Sequence, residues 1–162
     1  MIPIMTLAPE RWREYRALRL EALKSHPQAF CATYESQAAK PDEWWRERLI
    51  DVQSQGSWLL FAEDQGALTG MVGAAWAGEA IDIISMFVRD SHRGKGVGRL
   101  LMQAILEATE DARPARHVLS VNSEQREAVA LYKAFRFEIT REAEYVFGDG
   151  RASKAYDMVR EV

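Results

Sequence analysis

The segment VRDSHRGKGVGRLL, residues 88–101, joins two different periodicities. Before it, AIDIISMFV (80–88) has the β-rich composition and length of a strand. After it, Val97, Leu100, Leu101, Ala104, Ile105 and Ala108 recur at the spacing of an amphipathic helix. Between them lie Gly94, Gly96 and Gly98, interleaved with Arg93 and Lys95. A helix N-terminus carries unpaired backbone N–H groups and partial positive charge. Glycines let an anion approach those groups closely, and the two basic side chains add charge outside them. The segment therefore reads as a phosphate-binding turn. It is not a P-loop, because no Lys-Ser/Thr pair follows the glycines at the required spacing. Nor is it a dinucleotide fingerprint, because Arg99 stands where the third glycine would be.

Beyond the helix, HVLSV (117–121) reads as the strand that follows, which makes a strand–helix–strand crossover. Upstream, SWLLFAE (57–63) and LTGMVGAAWA (68–77) flank a DQGA turn, and strand 80–88 pairs back through Gly78-Glu79. Downstream, Ala128, Leu131, Tyr132 and Phe135 have helical spacing, and EAEYVF and KAYDMV flank GDG as a last hairpin. At the N-terminal end, 3–7 reads as a short strand and 9–25 as an amphipathic helix with Trp12, Tyr15, Leu18 and Ala22 on its apolar face. Residues 27–40 read as a loop. Pro41 and the acids after it open a helix over 41–53. The order is β-α-α-β-β-β-α-β-α-β-β. It predicts one mixed α/β domain over 1–162, with a mostly antiparallel sheet of about seven strands and helices on both faces.

Composition narrows the function. A chain of 162 residues with 48% hydrophobic and 28% charged residues has a core of ordinary size. A net charge of −3 gives no general attraction for nucleic acid or anionic lipid, so an anion site must be local. A nucleic-acid-binding domain built on Arg93, Lys95 and Arg99 fits this balance poorly. The single cysteine, Cys31, excludes an internal disulfide framework and reads as a small buried apolar residue. His26, His92 and His117 have no metal-ligand spacing, so no metal is expected, although His92 beside Arg93 is a candidate phosphate contact. No secretion signal or membrane-spanning run is visible, and a cytoplasmic protein with no membrane partner is the expectation.

RGKGVG (93–98), followed by RLLMQAIL, resembles motif A of the GNAT (general N-acetyltransferase) superfamily, R/Q-x-x-G-x-G/A. AVALYKAFRF (128–137) looks like that family's second motif, A-x-x-L-Y-x-x-x-G-F, with Arg136 in place of its glycine and Gln125 in place of an asparagine. RALRLEALKSHPQAF and WWRERL are also similar to segments of bacterial members. The resemblance covers essentially the whole chain and implies a GNAT-like fold. It implies an acetyl-CoA-dependent N-acetyltransferase that moves an acetyl group directly to a primary amine of a small molecule, peptide or protein. The alternative is a non-catalytic acyl-CoA-binding module. A homodimer, through the C-terminal strands, is a further implication.

The resemblance also assigns residues. Arg93, Gly94, Lys95, Gly96, Val97, Gly98 and Arg99 would bind the pyrophosphate of coenzyme A. Backbone groups of Met86 and Val88 would pair with its pantetheine arm, near Asn122 and Gln125. Asp82 sits where one branch of the family carries its general base, with Glu79 as the next candidate. Tyr132 matches the tyrosine that protonates the departing thiolate. Strand alternation would put Asp82, Ile84, Met86 and Val88 on one face. Trp76 and Glu35 are candidate walls of the acceptor pocket, and Trp44, Trp45 and Trp58 read as core.

Overall fold

The computed structural model describes residues 2–50 and 56–162. Seven strands form one sheet: β1 (Ile4–Met5), β2 (Ser57–Asp64), β3 (Ala67–Ala77), β4 (Ala80–Val88), β5 (Arg116–Asn122), β6 (Glu138–Val146) and β7 (Ala152–Glu161). Their order across the sheet is β1-β2-β3-β4-β5-β7-β6. Every neighbouring pair is antiparallel except β4 and β5. A parallel pair needs a crossover, and α4 (Val97–Glu110) supplies it, as the change of periodicity after Gly98 requires. The remaining helices are α1 (Trp12–Ser25), α2 (Tyr34–Ala38), α3 (Asp42–Glu47) and α5 (Arg126–Ala134).

The two faces of the sheet bury two separate cores. On one face, Val97, Leu101, Met102 and Ile105 of α4 pack with Leu60, Val72, Ile81 and Ile83 of the sheet. On the other, Trp12, Tyr15, Leu18 and Leu23 of α1 pack with Phe61, Met71 and Phe87. Each fully buried large side chain contributes about 1.5–3 kcal/mol, so these faces hold the helices more firmly than local propensity does.

Several boundaries differ from the sequence reading. The first strand shortens to two residues, and residues 9–11 form a 3₁₀ turn before α1. The expected loop 27–40 contains a 3₁₀ turn at Pro27–Ala29 and the helix α2, which Thr33 caps by accepting from the Ser36 N–H at 3.1 Å. The helix expected over 41–53 ends in α3 at Glu47, and its last three residues lie outside the described ones. β6 begins at Glu138, earlier than its apolar pattern suggested, because it is an edge strand with mostly exposed side chains.

The most consequential difference lies in β4. Between Phe87 and Ile84 this strand advances three residues while β3 advances two, from Met71 to Gly73. The extra residue is a β-bulge, with Ser85 at φ +60°. The bulge inverts the alternation of side chains. Asp82 and Ile84 therefore do not share a face with Met86 and Val88. Before the bulge, Ile81 and Ile83 enter the α4 core; after it, Met86 and Val88 pack against that core and Phe87 enters the α1 core.

Candidate active site

β4 and β5 pair only from Ala80 to Asp82, against Arg116 to Val118. Beyond Asp82 the ladder stops, while β5 remains paired with β7 as far as Asn122. The rest of β4 thus presents a backbone edge with no strand beside it. A cleft of about 1020 Å³ occupies this opening. Asp82 to Val88 line one wall, and Ser120, Val121, Leu131 and Tyr132 line the other.

The glycine turn closes one end of the cleft. Gly94 and Gly96 have φ +73° and +81°, and a Cβ on either would meet nothing within 4 Å. Their role is therefore conformational, and the space in front of them is open. The first α4 amide with a helical partner is that of Leu100, which donates to the Gly96 carbonyl at 3.1 Å. Among the described residues, the N–H groups of 94–99 have no backbone acceptor. These six donors sit at the positive end of a 14-residue helix. Gly98 serves packing instead. A Cβ there would stand 3.3 Å from Leu131 Cδ2, so glycine allows α4 to start close to α5.

The basic residues of the turn divide. Arg93 Nε donates to the Val88 carbonyl at 3.1 Å and pairs with Asp90 at 3.3 Å, so this side chain braces the turn. His26 joins the same group through Asp90 Oδ1 at 3.1 Å. Arg93 and Arg99 both line the cleft, the Arg99 guanidinium 5.8 Å from the Phe135 ring centre. Lys95 and Val97 do not line it; Lys95 is exposed, and the Val97 side chain is a core residue. His92 is engaged with Asp64 at 2.9 Å and stays outside the cleft.

Asp82 lies at the point where the two strands part. Its pKa is pushed up to about 6, first by burial and then by the nearby negative charge of Asp157. That second carboxylate accepts from Ser120 Oγ at 2.7 Å and Tyr145 Oη at 2.9 Å, and pairs with Arg141 at 3.1 Å. The sequence reading missed Asp157; its only signal was a lone acid within the KAYDMV strand. Tyr132 is buried, and burial pushes its pKa up to about 12. Its ring packs edge-on to Phe137, with centroids 6.2 Å apart, and its hydroxyl makes no hydrogen bond among the described residues. The phenol is therefore protonated near neutral pH and free to donate.

Other expectations fall outside the cleft. Glu79 is an exposed residue of the β3–β4 turn and does not reach it. Asn122 is 1% exposed and engaged at both ends of its amide: Nδ2 donates to the Gln28 carbonyl at 2.9 Å and Oδ1 accepts from the Glu124 N–H at 3.0 Å. It ties β5 to the turn at residues 27–29. Gln125 does line the cleft, at the start of α5. Trp76 is 41% exposed at the far end of β3, and Glu35 is not a wall of the cleft either. Cys31 is exposed at the cleft rather than buried, while its neighbour Phe30 takes the place in the α1 core.

The cleft also contains two residues that the sequence reading passed over, Arg19 of α1 and Arg48 just after α3. Arg19 occupies the apolar stripe of α1, one turn after Tyr15 and three residues before Ala22. A charged residue in a buried stripe was the available signal. Among the described residues no cluster of His, Cys, Asp and Glu could hold a metal ion, and no helix is long and apolar enough to cross a membrane.

Comparison with known proteins bears on this geometry. Residues 21–152 match the family model described as "Acetyltransferase (GNAT) domain". Human N-acetyltransferase 8 is 26% identical over 95 residues, which take in 55% of this chain and 42% of that protein's length. Among solved structures, an acetyltransferase of GNAT family from Streptococcus pneumoniae superposes with a TM-score of 0.84 at 20% identity, covering 100% of both chains. A putative acetyltransferase from Salmonella typhimurium, solved with its cofactor acetyl-CoA, gives 0.79 at 19% identity, over 99% of this chain and 94% of that one.

Proposed function

Because this chain belongs to the GNAT acetyltransferase family, we propose that it transfers an acetyl group from acetyl-CoA directly to a primary amine. The observation that carries this reading is the opening between β4 and β5, with Asp82 and Tyr132 on its walls and unpaired N–H groups at its end.

The residues present suit the co-substrate. The open space over Gly94 and Gly96 and the free amides of 94–99 fit a pyrophosphate, with Arg93 and Arg99 as the turn's cleft-lining cations. The unpaired edge of β4 suits an extended pantetheine arm, with backbone groups of Met86 and Val88 as its partners, near Gln125. Acetyl-CoA supplies the activated thioester when bound.

The chain's own groups then handle two protons. An alkyl ammonium has a pKa near 10 and is not a nucleophile until it loses its proton. Asp82, with a pKa of about 6, is ionised at neutral pH and more basic than an ordinary carboxylate. It takes the amine proton directly or through water. The Met86 N–H is the donor for the acetyl oxygen, where negative charge develops. Tyr132 gives its proton to the departing sulfur. Both reactants held in one cleft favour direct transfer, and Cys31, whose thiol pKa is raised by burial, is not an activated nucleophile. The exposed edge strand β6 is the surface available to a second copy of the chain.

The test is release of free coenzyme A thiol from acetyl-CoA, with amino acids, polyamines, aminoglycosides and short peptides as acceptors. Amine-dependent release is expected. Tight binding of acetyl-CoA with no amine-dependent release from any acceptor would make the cleft a binding site without turnover.

A further inference from the structure

The acceptor half of the cleft has positive charge with no negative partner among the described residues. Arg19 is 9% exposed, yet none of the ion pairs among the described residues includes it. Its Nε donates to Gln37 Oε1 at 3.0 Å, and its guanidinium lies 5.1 Å from the Phe30 ring centre. Its Nη1 is shielded from solvent and has no hydrogen-bond partner. Arg48 repeats the arrangement. Its Nε donates to Tyr15 Oη at 2.9 Å, and its guanidinium lies 4.6 Å from the Trp44 ring centre. In both residues the inner nitrogen and one ring-facing side are fixed, which leaves Arg19 Nη2 and the two Arg48 terminal nitrogens for a ligand.

A buried, unpaired cation is costly, and a second cation nearby adds to the cost. The Arg19 guanidinium is accordingly lowered from its ordinary pKa, chiefly by burial, and also by Arg48. Such a pair persists where an anion completes it. Guanidinium terminal nitrogens form a planar fork that matches a carboxylate. Both arginines line the same cleft as Asp82, to which the acceptor amine must come.

We infer that Arg19 and Arg48 form a carboxylate seat, and that the acceptor is a primary amine whose own molecule carries a carboxylate. The inference deepens the transferase reading and rests on it for the word acceptor. Gln37 and Tyr15 are positioning residues here, since they act through the arginines. The amine-bearing carboxylate has two sources, a free amino acid or an acidic side chain near a peptide N-terminus, and the same seat serves either.

The experiment has a kinetic arm and a binding arm. In the first, coenzyme A release is measured with the twenty L-amino acids and their α-carboxamides, and with N-terminal Glu and Gln peptide amides. The acid of at least one matched pair is expected to exceed its neutral partner at least tenfold in kcat/KM. The pair that shows this difference identifies the source. In the second arm, N-acetyl-L-amino acids and their amides are titrated in the presence of coenzyme A and followed by thermal shift. Only the acids are expected to stabilise the protein, and Arg48→Gln should abolish that shift. Arg19→Gln and Arg48→Gln should raise the KM for the acceptor at least tenfold and leave the KM for acetyl-CoA unchanged. If Arg19→Gln fails to fold, the exposed Arg48→Gln carries the test alone.

Equal rates for acids and amides, with no Arg48-dependent carboxylate binding, would overturn the seat and leave the transferase intact. Arg48-dependent carboxylate binding without thiol release would keep the seat and remove the transferase.

Discussion

Asp82 and Tyr132 are tuned in the same direction by one cause, burial at the place where β4 leaves β5, and the consequences differ because of their starting points. For Asp82 the folded pKa of about 6 exceeds its ordinary 3.8, so the folded protein binds more protons than the unfolded chain between those values. Stability therefore falls as pH rises from about 4 to about 6 and stays lowered above that. Asp82→Asn should raise stability at pH 8 by about 1 kcal/mol, a value discounted for partial exposure, and change it little at pH 4. The same substitution should lower kcat/KM at least tenfold at pH 7.5. In the native protein, kcat/KM should rise with pH through about 6 as Asp82 ionises. A pH–rate profile without an inflection there would take the base role from Asp82. Tyr132→Phe should reduce kcat tenfold or more while the affinity for acetyl-CoA holds, because only a proton donor is lost. An unaltered kcat would return Tyr132 to the core.

Among the secondary-structure elements, the start of α4 and the end of α5 depend on left-handed backbone. At the start of α4, Gly96 supplies it and leaves open space in front. Gly96→Glu would put a carboxylate into that space, against the six free amides. Equilibrium binding of coenzyme A should weaken at least 100-fold, while the melting temperature moves by only a few degrees. At the end of α5, Arg136 stands at φ +70°. Its N–H donates to the Lys133 carbonyl at 3.0 Å, and that of Phe137 to the Tyr132 carbonyl at 3.1 Å. This is the Schellman closure, in which glycine is the unstrained residue. The departure of Arg136 from the second motif therefore concerns a helix end and not the cleft. Arg136→Gly should stabilise the protein by about 0.5–1 kcal/mol in denaturant titration, with kcat unchanged. A destabilised variant would show that the arginine side chain outweighs its backbone strain.

Across the whole molecule, the side of the cleft that carries Phe30 and Cys31 is held by contacts between distant parts of the chain. Gly148 donates its N–H to the Phe30 carbonyl at 2.6 Å, and a Cβ there would come within 2.7 Å of the Ala32 carbonyl oxygen. Two more backbone oxygens, of Pro27 and Phe30, stand at 3.1 and 3.2 Å. The last hairpin thus pins the loop that carries Phe30 and Cys31 to the opening. Gly148→Ala must push backbone apart and should cost about 1–3 kcal/mol. It should also raise the KM for the amine several-fold while the KM for acetyl-CoA stays constant. A variant with both values unchanged would show that this loop does not shape the acceptor side.

The architecture and the glycine turn at the end of the cleft were legible along the chain. Strand and helix periods are local properties, and the turn at 94–98 lies within one continuous segment. The place of Tyr132 was legible through the second motif, and that of Asp82 through its position in strand 80–88. How the strands open, and what faces the acceptor, emerged with tertiary packing. The bulge at Ser85 carries no strong sequence signal, yet it reverses which side chains share a face. Asn122 proved to be committed to the Gln28 carbonyl, and Glu79 to lie at an exposed turn. Arg19 and Arg48 meet in the cleft although they are 29 positions apart in the chain (48 minus 19). Burial, desolvation and the nearness of charges depend on what packs around a residue, and periodicity along one strand or helix does not contain that information.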